Sequence, residues 1–325
     1  MKYQKLLDRG DNWLKYAICV QLLLKPKNEI IELKESALAD NRIQDSLNDV
    51  ASFHSTLVTN HKNPVLPIHK LLFLLDIGFD TDIPEIKAAV DEILKHQDDH
   101  GVYQSLTNVP KHFGGAGVDV FSWCLCDAPL LLLALLKAGV DYPKYIRPGV
   151  DYLVSLIREN GFPCAVSPEL GKFRGPGRKD DCCPYATLIM ADLLSYIPEY
   201  RESSAAVTSV EALLSLWEYS LEQHPYMFYM GTDFRKLKAP SCWYDILSVA
   251  GVLSKYKLSQ HDPRFLDMIT LIRSKQDEDG FFIPESAYQK MKDWDFGQKK
   301  LPSSYLTYLC LRIFERLGKN LEHIN

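Results

Sequence analysis

The sequence predicts an all-α fold, and three observations carry that prediction. Apolar residues recur at helical spacing almost throughout, as in IKAAVDEILKHQ (86–97), VDYLVSLIRENG (150–161) and FLDMITLIRSKQ (265–276), and no strand period competes with them. Two of these segments end alike, in KHQDDHGVY and KQDEDGFF, with IRENGFP as a shorter version. Each ending reads as a helix terminus followed by a Gly-centred turn, where glycine takes the left-handed conformation that a C-cap requires. A second helix type alternates with the first, more apolar and announced by proline: VLPIHKLLFLLDIG, CDAPLLLLALLKAG, CCPYATLIMADLLS, APSCWYDILSVAGVLS and LPSSYLTYLCLRIFERLG.

The prolines that announce these helices, Pro67, Pro129, Pro184, Pro240 and Pro302, recur 55 to 62 residues apart. The unit is a helical hairpin, with a period longer than the ~20 to 50 residues of common solenoids and room for long loops. Five such hairpins follow N-terminal helices in residues 1–60, so residues 1–325 are expected to form a single domain. The first helix type has a polar face and belongs at the surface, whereas PLLLLALLKAG is apolar nearly all round and needs cover on both sides. A closed ring of hairpins supplies that cover without exposed end repeats. The expected architecture is an α/α toroid, its apolar helices inside and around a central cavity.

The first residues, MKYQKLLDRGDNWLKYAICVQLLL, mix acid and base into an apolar pattern and read as an amphipathic helix rather than a signal peptide. The longest apolar stretch, APLLLLALLKAGV (128–140), is interrupted by Lys137 and is shorter than the ~20 residues that cross a bilayer, so no transmembrane segment and a cytoplasmic location are expected. A formal net charge of -5 gives no overall drive toward nucleic acid, and 46% hydrophobic residues suffice for a large core. The eight cysteines are too dispersed for the disulfide framework of a small secreted domain and read as reduced thiols, with Cys19, Cys164 and Cys310 as apolar filler.

In a ring of parallel inner helices, the loops that precede those helices converge on one end. They carry His61, Lys62 and His69; Trp123, Cys124, Cys126 and Asp127; Arg174, Arg178, Lys179, Asp181, Cys182 and Cys183; and Arg235, Lys238, Cys242, Trp243, Tyr244 and Asp245. Asp127, Asp181 and Ser303 have a plain alternative role as helix caps. The predicted mouth is basic and thiol-rich on an acidic protein, and GKFRGPGRKDDCCPY (171–185) is its most charged loop. Helix N-termini and Arg or Lys side chains favour an anion such as phosphate or diphosphate. A cavity lined by apolar helices and by Trp123 and Trp243 suits an apolar tail.

The hairpin repeat, the Q-D-x-x-G-F turn and the closing DWDFGQKKLPSSYLTYLCLRIFERLG resemble the α/α-toroid superfamily of terpenoid cyclases and protein prenyltransferase β-subunits. In FRGPGRKDDCC the likeness to prenyltransferase β-subunits implies Arg178 and Lys179 as diphosphate ligands and Asp181 and Cys183 as zinc ligands, with Asp180 and Cys182 fitting the same pattern one residue earlier. The histidine that completes that zinc site has no counterpart in SCWYDILSVAGVL, where Tyr244 and Asp245 stand instead; Asp245, Cys126 or Cys242 are the replacements the sequence offers. The acid motif of the cyclase branch is matched only by FDTDI (79–83), which lacks the last carboxylate and reads as a helix cap.

The resemblance implies an enzyme of the transferase or lyase kind that binds an isoprenoid diphosphate or a similar apolar-tailed anion. Arg174, Arg178, Lys179, Arg235, Lys238, His69, Trp123 and Trp243 would bind it, and Asp181, Cys183, Tyr244 and Asp245 would act as catalytic groups or, for Asp181, Cys183 and Asp245, as zinc ligands. Two other readings stay open: a non-catalytic toroid that binds a lipid, peptide or partner protein, and a Cys/Asp metal enzyme unrelated to isoprenoids. No nucleic-acid partner is expected, and no partner protein is indicated.

Overall fold

The computed structural model describes residues 3–220, 222–225 and 228–318. Six helices form an inner ring: α2 (Asn12–Gln21), α5 (Pro67–Ile77), α7 (Ala128–Lys137), α9 (Pro184–Ser195), α11 (Ile246–Leu253) and α13 (Ser304–Leu317). Each packs on the next, and α13 returns to α2, which closes the ring. Outside lie α1 (Gln4–Arg9), α3 (Ile31–Leu38), α4 (Asn41–Ala51), α6 (Pro84–Ile93), α8 (Arg147–Ser155), α10 (Ser204–Glu218) and α12 (Pro263–Arg273). The protein is an all-α toroid, as its two helix types predict.

Burial follows the two patterns. In α7 every residue from Ala128 to Leu135 is buried, whereas α6 buries only Ile86, Ala89, Val90 and Ile93, a single stripe at helical spacing. The N-terminal segment departs from expectation. It breaks at Gly10 into α1 and α2, and α2 is a sixth inner helix that buries Trp13, Tyr16 and Ile18. Trp13 packs edge-on against Trp294 and Tyr305 and tilted against Phe73, so aromatic rings fill the seam between the first and last helices. The prolines also divide. Pro67, Pro129 and Pro184 occupy the first turns of their helices, but Pro240 follows a cis peptide five residues ahead of α11's N-cap and Pro302 precedes the N-cap Ser303.

The turn motif has a mechanical explanation. In QDDHG the Gln97 amide donates to the Gly101 carbonyl while Asp98 Oδ1 accepts from the N–H groups of His100 and Val102. Gln276 and Asp277 repeat these bonds with Gly280, Asp279 and Phe281. The repeats are stitched alike one layer inward: Thr187 Oγ1 accepts from Phe162 N–H and Thr307 Oγ1 from Phe282 N–H, both at 3.0 Å. Two three-residue strands, β1 (Ser105–Thr107) and β2 (Val120–Ser122), pair antiparallel in the loop before α7. They are too short to show a period in sequence.

Candidate functional site

Two cavities lie inside the ring, one behind the other. The central one, of about 180 Å³, is walled by Leu72, Leu133, Leu188, Ile189, Val252 and Leu309 from five inner helices. Beyond this apolar waist every lining helix carries ionisable side chains near its C-terminal end: Asp76, Lys137, Asp192, Lys255, Arg312 and Arg316. Lys137 pairs with Asp76 and Lys255 with Asp192, and both ammonium groups donate to Tyr196 Oη, at 3.0 and 3.2 Å. Because partners on neighbouring helices meet end to end at the same level, the inner helices run parallel, and this level forms a floor.

The floor carries four cations against two carboxylates, a net charge of +2. Burial alone would raise the Asp76 carboxyl, but Lys137 and Arg312 hold it down at about 2. Burial would likewise raise the Tyr196 phenol; Lys255 and Lys137 pull it below its ordinary value. Arg316 donates to the carbonyl of Gly251 and to Ser254 Oγ, closing the C-terminal end of α11. Arg312 has no such role. Its guanidinium makes no hydrogen bond or ion pair among the described residues; it lies 5.5 Å from the Tyr308 ring and acts on the Asp76 carboxylate through space.

The second cavity, of about 140 Å³, sits at the mouth and is lined by five thiols, Cys124, Cys126, Cys164, Cys182 and Cys183, together with His61. Tyr185 and Trp243 line both cavities and pack on each other at 4.3 Å, so they form the partition. The thiols resist ionisation. Burial pushes Cys124 up and Cys182 to about 11; the neighbouring Cys126 raises Cys183 against the opposing effect of Cys164, and Cys183 raises Cys164. A free thiolate nucleophile at Cys183 is therefore disfavoured. Cys183 instead caps α9, its sulfur accepting from Ala186 N–H at 3.5 Å.

The basic mouth inferred from sequence does not converge on either cavity. Arg174 is exposed and donates to the carbonyls of Gly171 and Phe173, and Arg178 and Lys179 are exposed surface residues. Arg235 lies over the Trp217 ring at 4.8 Å, and Lys238 over Tyr288 at 4.2 Å. Trp123 is buried, its Nε1–H donating to Asp98 Oδ2, whereas Trp243 and His69 do line the central cavity. His69 bonds the His61 carbonyl through Nε2 at 2.8 Å, and burial lowers its pKa.

Asp181, Cys183 and Asp245 do not form a metal-ligand group. Asp245 Oδ1 caps α11 by accepting from Ser248 N–H at 2.8 Å, its other oxygen is buried without a partner, and burial raises the carboxyl to about 6 against the opposing effect of Ser248 N–H and Lys238. Neighbouring Tyr244 buries its hydroxyl without a hydrogen bond. Among the described residues one group of His, Cys, Asp or Glu brings three ligand atoms within 4.8 Å of one another: His61, Cys124 and Asp127. In FDTDI, Asp80 is ion-paired to Lys27 at 2.6 Å and accepts from Asp82 N–H, and neither cavity is lined by it.

No protein-family model and no curated protein matches the chain. Solved structures do resemble it. A protein from Actinoplanes is 11% identical, with 95% of this chain and 90% of that one covered and a TM-score of 0.43. The type II terpene cyclase MstE from Scytonema, in complex with its substrate geranylgeranyl dihydroxybenzoate, is 12% identical, with 95% and 86% covered and a TM-score of 0.38. These are distant likenesses of fold, and no residue role is carried over from either protein. Among the described residues no helix is long and apolar enough to cross a membrane.

The floor is the feature that the mouth-centred sequence reading missed. Its signal is one ionisable residue in the last turn of helices that are otherwise apolar, as with Asp76 in LLFLLDIG and Lys137 in LLALLKAG.

Proposed function

We propose that the protein binds an amphiphilic anion in the central cavity, with the head against Arg312 and Arg316 and the tail along Leu72, Leu133, Leu188 and Leu309. An isoprenoid diphosphate is the class of ligand with that shape. The observation that carries the reading is Arg312. Lysines and arginines near helix C-termini commonly serve the last carbonyls and the helix dipole, and Lys137, Lys255 and Arg316 are explained that way or by carboxylates. Arg312 has no such direct partner. Half-buried on the cavity wall, its guanidinium has five N–H donors and no hydrogen-bond acceptor among the described residues, which leaves them open to a ligand anion.

The anion-binding end thus moves from the mouth to the opposite end of the inner helices, and the apolar waist between floor and partition is left for the tail. Calorimetric titration and thermal shift of the full chain with farnesyl diphosphate, farnesol and inorganic diphosphate separate head from tail. Farnesyl diphosphate should bind more tightly than either fragment. At a hundredfold excess over Kd it should stabilise the fold by about 2.7 kcal/mol. Equal binding of inorganic diphosphate alone, or no binding of any apolar-tailed anion, would refute the proposal.

A further inference from the structure

We propose that His61, Cys124 and Asp127 are the protein ligands of a divalent metal ion of the zinc type, independently of what the central cavity binds. Their donor atoms already lie within 4.8 Å of one another. Around a tetrahedral zinc the ligand atoms stand about 3.5 Å apart, given metal–ligand bonds of about 2.0 to 2.3 Å, so small side-chain movements complete the geometry. One nitrogen, one sulfur and one oxygen form a donor set suited to zinc or cobalt and unsuited to calcium or magnesium, which take oxygen ligands. With a thiolate and a carboxylate the metal would be neutralised, as a buried site requires.

The carboxylate supplies the second, independent observation. Asp127 is the N-cap residue of α7, but its side chain accepts no capping bond from that helix; Oδ1 instead accepts from Cys124 N–H at 2.9 Å, fixing the carboxylate beside Cys124. The other oxygen, Oδ2, is buried with no hydrogen-bond partner. A turn-closing role explains one oxygen and leaves the second unexplained. The His61 loop is itself held in place by the bond from His69 Nε2 to the His61 carbonyl. His61 and Cys124 line the thiol pocket at the mouth. Water or substrate in that pocket would supply the fourth ligand, as in zinc sites that are not closed by a fourth protein ligand.

The test uses the full chain stripped with chelator and titrated with Zn2+ and with Co2+. Elemental analysis should find one zinc per chain, and cobalt should give the visible bands of a tetrahedral site together with a near-ultraviolet thiolate-to-cobalt band. Cys124→Ser should abolish the thiolate band, and His61→Ala and Asp127→Asn should weaken Zn2+ binding tenfold or more. Asp127→Asn keeps the acceptor for Cys124 N–H, so loss of the fold is not expected to mimic loss of the ligand. The double variant Cys126→Ser/Cys164→Ser should bind as the parent does. Failure of the parent chain to retain a stoichiometric metal, a cobalt spectrum without the thiolate band, or a band that survives Cys124→Ser would each overturn the proposal.

Discussion

Asp245→Asn should remove the pH dependence of stability that this residue imposes. Asp245 holds the start of α11 through Oδ1 while Oδ2 is buried without a partner, and its carboxyl is raised from 3.8 to about 6. Below about pH 3 the group is protonated in folded and unfolded chains alike, so its stabilising contribution is fully present. As pH rises toward and through 6 the unfolded chain releases the proton first, and that contribution is lost. At about 1.4 kcal/mol per pH unit of separation, the full loss is about 3 kcal/mol, of which about 2.4 kcal/mol falls between pH 4 and 7. The Asn variant keeps the Oδ1 cap but buries an unpartnered amide in place of the oxygen, at a cost of about 1 to 2 kcal/mol. Urea denaturation at pH 4, 5, 6 and 7 should therefore show the variant less stable than the parent at pH 4 and more stable at pH 7, with the curves crossing between. A constant offset across that range would show that Asp245 is not a raised, buried acid and would refute the reasoning.

Arg312→Met should weaken farnesyl diphosphate binding by about ten- to a hundredfold, the range for a charge-assisted hydrogen bond. In the ligand-free protein the loss of its attraction to Asp76 should cost little, because Lys137 still pairs with that carboxylate, and melting curves without ligand check this. Gly149→Ala should destabilise by about 2 to 4 kcal/mol, because a Cβ there would fall 2.3 Å from the Gly101 carbonyl oxygen and the backbone of the repeated turn cannot yield; chemical denaturation measures it. Thr187→Val and Thr307→Val each strand a buried N–H, of Phe162 and Phe282 respectively, and should each cost about 1 to 3 kcal/mol by the same assay. Matching losses would confirm that the two repeats share one device.

Helix type was legible because it depends on local pattern, and the ring followed from the need to cover the all-round apolar helices on both sides. The single apolar stripe of α6 and the all-round apolarity of α7 dictate which helix lies outside and which inside, whatever the neighbours. The turn motif was legible for a similar reason, since Gln97, Asp98 and Gly101 satisfy one another within five residues. The sixth inner helix was less so, because the break between α1 and α2 rests on one residue, Gly10, inside a continuous amphipathic pattern.

Which charges face inward is a different kind of question. From sequence, Arg178 and Lys179 stand in a charged loop ahead of an inner helix, yet both point to solvent, while the single basic residues Lys137 and Arg312 lie around the central cavity. His61, Cys124 and Asp127 were all placed at the mouth by sequence, but only the packing of the loop before α5 against the start of α7 makes them a set. The sequence alone determined a toroid, its inner and outer layers and the end at which its loops gather, because hydrophobic periodicity acts through contacts a few residues apart. The tertiary structure alone decided that the cations meet as a floor and that three scattered donors meet as a site, because those distances depend on the rotation of each helix about its axis and on the path of loops between residues more than sixty positions apart.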